Sequence, residues 1–190
     1  MAYTDKSTIQ KYLTVDIDSS FDAQITSWIS AVKTWIDRYT GKTFEASSSD
    51  RYYDSLGGCE IFVDSFVGVP TLVSLNEDGS TYQTFSSGDF ITYPLNSDEK
   101  NKIVLLSNNF PRGNKRVKVT ASFGYSTSVP EDIKVIATKL IGSILAKGID
   151  GGKLSSSQLG DQQVNFEAIN EQAEALGIFQ TLDMYRDISI

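Results

Sequence analysis

The stretch from Phe110 to Ile133 reads FPRGNKRVKVTASFGYSTSVPEDI and carries two structural patterns back to back. Pro111-Arg112-Gly113 is a turn, and Val117 to Phe123 then alternates apolar and polar residues with the period of a strand that buries one face. Gly124 breaks the strand. Ser128-Val129-Pro130-Glu131-Asp132 opens a helix, because proline fits the first turn, where its missing N–H costs nothing, and acids suit the positive end of the helix dipole. A chain built this way must close a β-region immediately before a core helix. The stretch supplies no catalytic group.

Two further segments have helical period. Ile9, Tyr12 and Leu13 predict a short helix over about residues 5–13. Phe21, Ile25, Trp28, Ile29, Val32, Trp35, Ile36 and Tyr39 predict a long one over about residues 20–40, with Gly41 in place for a left-handed C-terminal cap. Trp28, Trp35 and Tyr39 read as core or subunit-interface anchors, since aromatics dominate buried contacts. The helix over residues 130–147 places Ile133, Ile136, Ala137, Leu140, Ile141, Ile144 and Leu145 on one broad face, which needs the Trp-bearing helix as its partner.

Between the helices, after a polar Ala46–Asp50 linker, strand-like runs fill residues 50–125: Arg51–Asp54, Glu60–Val63, Val69–Asn76, Tyr82–Phe85, Phe90–Tyr93, Lys102–Leu106 and Lys115–Phe123. Gly57-Gly58, Glu77-Asp78-Gly79 and Ser87-Gly88-Asp89 punctuate them as hairpin-type turns. The expected fold is therefore α+β with a mainly α core, a small helical bundle bearing a β-hairpin-rich insertion. Residues 1–148 form the core domain. From Gly148 a Gly/Ser-rich linker leads into an extended C-terminal arm over residues 149–190, with Val164, Phe166, Ile169, Ile178, Phe179, Leu182 and Tyr185 as its apolar contacts. An arm this apolar orders against a surface, its own or a partner's; the linker and the strand-like Gln163–Phe166 favour a partner.

The formal charge of −7 argues against a general nucleic-acid binder. Residues 148–190 hold seven acids against two bases, so most of the excess sits in the arm. Cys59 is the only cysteine, which excludes an intrachain disulfide and the usual cysteine-type zinc site. No window approaches the roughly 20 apolar residues of a bilayer span, and the N-terminus lacks a signal-peptide pattern, so an intracellular, membrane-free protein is expected.

Chemistry is hard to find. Without histidine there is no Ser-His-Asp triad and no Cys-His pair. Gly152-Lys153 fails as a phosphate loop because Lys147 replaces the earlier glycine and Leu154 the Ser/Thr. Asp16-Ile17-Asp18 starts like a calcium loop, but Phe21 and Ser27 stand where glycine and glutamate are required; these acids read as caps of the long helix. Ser30-x-x-Lys33 and Ser97-x-x-Lys100 lack the companion motifs of serine–lysine hydrolases. No cofactor and no enzyme activity are expected. The rival reading is a stand-alone binding or hydrolytic module using a carboxylate pair drawn from residues such as Asp54, Glu60 and Asp64.

Arg112, Lys115, Arg116 and Lys118 form the one basic cluster. It reads either as edge-protecting charge on a sheet or, if repeated around a ring, as a collar that meets phosphate backbone without reading sequence.

The order of several segments resembles the head–tail connector (adaptor, or head-completion) proteins of tailed bacteriophages. These are Ile9–Leu13; Gln24-Ile25 with Trp28-Ile29, Trp35-Ile36 and Tyr39-Thr40-Gly41-Lys42-Thr43-Phe44; Val69–Leu75; Pro111-Arg112-Gly113 with Val117–Tyr125; Val129–Ile133; and Leu159-Gly160-Asp161 with Val164–Phe166. The resemblance implies a structural virion protein, made in the host bacterial cytoplasm and placed at the head–tail junction. It implies a homo-oligomeric ring, a dodecamer when assembled, that sits below the portal protein, extends the DNA channel and carries the next head-completion or tail component. It also implies that the C-terminal arm reaches the portal, and that genome DNA passes the basic cluster without sequence-specific contact. The tail beyond Phe166 is longer, and the β middle larger, than a minimal adaptor needs.

Overall fold

The structure is a computed structural model that describes residues 2–146, 149–150, 153–154 and 166–186. Val164 and most of the expected linker lie outside the described residues. The fold is α+β, as expected, and the chain divides into two compact units: Met1–Lys42 with Val129–Ile190, and Thr43–Ser128.

The first unit is helical. Helix α1 (Lys6–Leu13) starts on Asp5, whose carboxylate accepts from the Thr8 N–H at 2.9 Å and whose pKa is lowered, first by its bond from Ser7. A short 3-10 turn, Ser19–Phe21, capped by Asp18 (Ser20 N–H to Oδ1, 2.8 Å), leads into α2 (Asp22–Thr40). Gly41 ends α2 in the left-handed region (φ 72°) and donates to the Asp37 carbonyl. Helix α3 (Glu131–Ala146) buries Ile133, Ile136, Ala137, Leu140, Ile141, Ile144 and Leu145, the face its periodicity marked. It packs against α1 and α2. A two-residue pair, β7 (Ile149–Asp150) and β8 (Lys153–Leu154), follows α3. Then α4 (Phe166–Ala175) packs on α2 and α3, and α5 (Phe179–Asp183) on α2.

The second unit is one antiparallel sheet. Its strands are β1 (Ser47–Ser55), β2 (Glu60–Leu75), β3 (Thr81–Phe85), β4 (Phe90–Tyr93), β5 (Glu99–Leu105) and β6 (Gly113–Phe123). The order is β1-β6-β2-β5-β4, with β3 also paired to β2. The sixteen residues of β2 span two of the expected runs, with pairing irregularities between Phe62 and Phe66 and between Val67 and Thr71. These bends let one strand pair with β5 along its first half and β3 along its second. Thirteen side chains, Phe66, Leu72, Phe85, Ile103, Val117, Val119 and Phe123 among them, form a core belonging to this unit. Arg51 lies 4.1 Å from the centre of the Phe123 ring, and Tyr53 packs at the core margin.

Two local expectations change. Ser47–Asp50 is not a linker but the first half of β1, in register from Ser47–Phe123 to Asp50–Thr120. Its side chains are exposed, so polar serines cost nothing there. Gly57-Gly58 and Ser87-Gly88-Asp89 do not close hairpins, since neither β1 with β2 nor β3 with β4 is paired. Only Glu77-Asp78-Gly79 joins paired neighbours; there Asp78 accepts from the Ser80 N–H at 2.9 Å.

Candidate functional site

The basic cluster sits where Phe110, buried in the sheet core, anchors the chain before β6. Its N–H donates to the Gly58 carbonyl at 2.9 Å, so the Pro111-Arg112-Gly113 turn is held beside the Leu56–Gly58 loop. Lys115 adopts a left-handed conformation (φ 51°), an unusual state for a side-chain-bearing residue, and its N–H donates to Asp54 Oδ1 at 2.7 Å. That bond offsets part of the backbone cost and aims the lysine outward.

The four charges are not equivalent. Lys118 pairs with Asp50 at 2.7 Å, and Thr120 donates to the same carboxylate at 2.6 Å. The pair holds the Asp50 carboxyl below its ordinary range, through its bond from Lys118 first, and raises the Lys118 pKa. Arg116 lies with its side chain over Gly113, and its Nε and Nη1 are buried with no hydrogen-bond partner among the described residues. Asp78 is depressed chiefly by its bonds from Ser80, with a smaller contribution from the Arg116 charge. Arg112 and Lys115 are exposed and have no ion pair among the described residues. The uncommitted charge of the turn therefore resides in these two.

The C-terminal segment presents a different surface. Ile169, Ile178 and Leu182 are buried within the helical unit. Phe179 lies 5.9 Å from the Trp35 ring and 5.1 Å from the Tyr39 ring, and Trp35 and Tyr39 stack on each other at 5.6 Å. Polar contacts among the described residues also pin the segment. Trp35 Nε1 donates to Asn170 at 2.7 Å, Tyr39 Oη to Asp183 at 2.7 Å, and Tyr185 Oη to Asp132 at 2.6 Å. Burial, then the Asp183 carboxylate, raises the Tyr39 pKa. Trp28 and Trp35 are 4% exposed, so both serve the bundle of their own chain. The docking of α4 and α5 on α2 is the alternative that the sequence offered but did not favour.

The carboxylates weighed for hydrolysis are engaged by separate partners. Asp54 holds the Lys115 N–H, Glu60 meets Lys102 at 3.4 Å, and Asp64 takes Arg51 at 2.7 Å and the Tyr53 hydroxyl at 2.8 Å. Among the described residues no group of three acidic, cysteine or histidine side chains could hold a metal ion, and no helix is long and apolar enough to cross a membrane.

No family model matches the chain, and no curated protein does. Solved structures do, two of them as follows. A chain from the neck of an empty gene transfer agent particle, computed with C6 symmetry, superposes with a TM-score of 0.55 at 15% identity, covering 89% of this chain and 80% of that one. A chain from the virion of a native gene transfer agent particle superposes with a TM-score of 0.54 at 14% identity, covering 97% and 89%. The likeness is one of fold. Its coverage reaches both units.

Proposed function

We propose that this chain is a structural protein of a phage-like particle, and within it a subunit of the ring adaptor between the capsid portal and the tail. The observation that carries the reading is the near full-length fold likeness to chains of a gene transfer agent neck and virion. The order of segments that resembles head–tail connectors supports the same assignment. In this reading the chain assembles as a ring, dodecameric on the portal, extends the DNA channel and carries the next head-completion or tail component. The C-terminal segment faces the portal as a helix pair already folded on α2 and α3, offering the exposed Leu176 and Met184. Contact of the ring with passing DNA would run through phosphates alone, without sequence readout.

Electron microscopy of the purified chain, alone and mixed with its portal, tests the assignment. Rings, or rings formed only on the portal vertex, are expected. A compact monomer that neither self-associates nor decorates the portal refutes it, and turnover of a substrate by that monomer would favour the hydrolytic module.

A further inference from the structure

We infer that the basic turn of one copy seats on α4 of a neighbouring copy; the inference rests on the ring reading above. Arg112 and Lys115 project uncommitted positive charge, and the adjoining loop carries Leu56, which is 92% exposed. A cationic knob with an apolar tip suits a protein surface better than a phosphate backbone, which offers nothing for a leucine. The occupant needs a matching anionic surface. Helix α4 supplies one on the side opposite its buried Ile169 and Ala173. Glu167, Glu171 and Glu174 are exposed, follow the i, i+4, i+7 spacing of one helix face, and have no ion pair among the described residues. No base lies on that helix. Like charges at these spacings disfavour a helix, and Glu174 also stands in the last turn, where the dipole disfavours an acid. A cationic partner relieves both costs. Because the knob and the acidic face are different patches, the contact is heterologous, and a heterologous contact closes into a ring or runs on as a filament.

Charge reversal tests this on the full-length chain, with assembly read by mass photometry across concentration and salt. The parent should assemble, less so as salt rises. The Arg112→Glu/Lys115→Glu variant and the Glu171→Lys/Glu174→Lys variant should each keep the parent's melting temperature yet associate on the order of 100-fold more weakly, since like charges are juxtaposed. Mixed in equal amounts they should regain assembly, because every contact in an alternating ring is then matched. If both variants assemble alone like the parent, the interface is elsewhere while the ring reading stands. If reversal of the turn leaves assembly intact and abolishes only salt-sensitive binding of duplex DNA, the turn belongs to DNA and the inference is wrong. Failure of the mixture to rescue also overturns it. A parent that stays monomeric throughout, with and without portal, removes the ring reading and this interface together.

Discussion

Whether residues 166–186 belong to the bundle or form a detachable arm decides how this chain would meet a portal, and a double-mutant cycle on Trp35 and Phe179 measures it. Trp35 is 4% exposed and gives the bundle two ring contacts, to Tyr39 and Phe179, and one hydrogen bond, to Asn170. Truncating a buried aromatic to alanine costs about 3–5 kcal/mol. The lost hydrogen bond adds at most about 1 kcal/mol, because Asn170 is exposed and regains water. Phe179 is half-buried, so Phe179→Ala should cost less, about 2 kcal/mol. If the rings touch as described, the two losses cannot simply add: a coupling of about 0.5–1.5 kcal/mol is expected for an aromatic pair. Urea unfolding followed by far-UV circular dichroism, with tryptophan fluorescence as a second probe, gives the four free energies. Losses additive within about 0.3 kcal/mol would mean that α5 does not rest on α2. The segment would then be a free arm, and its portal contact a disorder-to-order event.

Gly124 lies at φ 145° with its Cβ position 2.6 Å from the Ala46 Cα, so Gly124→Ala should cost about 2–5 kcal/mol, from strain and from displaced backbone. Gly41→Ala, at φ 72° with open space around it, should cost about 1–2 kcal/mol; equal losses in thermal melts would sink the close approach. In acid, the Asp50 and Asp64 carboxyls are held below 3.8, by their bonds from Lys118 and Arg51 first, so their contribution is full above pH 3.8 and fades as pH falls through the folded values. Asp50→Asn should flatten that acid limb in a melting series, and an unchanged limb would remove the pair from the account. At the alkaline end, burial and the Asp64 bond push Tyr53 from 10.0 up to about 12, so its contribution is present below pH 10.0 and lost as pH rises through the folded value. Tyrosinate absorbance should lack one late-titrating group in Tyr53→Phe; an unchanged titration curve refutes the network.

The helices were legible because each announces its own ends and its own face. Asp18, Gly41 and Pro130 mark boundaries through local hydrogen bonding and φ alone, and the buried set of α3 follows a 3.6 period that needs no knowledge of the partner. The sheet was legible strand by strand but not as a sheet. Val117, Val119, Ala121 and Phe123 alternate inward as the period demands, yet nothing local says that β6 inserts between β1 and β2. That pairing joins residues such as Arg51 and Val119, far apart in sequence, and it made Gly57-Gly58 resemble a hairpin turn it does not form. The serines of β1 misled for a related reason: their side chains are exposed, so no apolar alternation marks them as strand, and only the distant pairing with β6 does. The basic cluster was the reverse case. Its residues were found from sequence, but their division into a paired Lys118, a packed Arg116 and two free cations depends on Asp50 and Asp54, which only the fold brings to the turn, and on how Arg116 lies over Gly113. Charge count located the surface, and geometry decided how much of that charge was left to act.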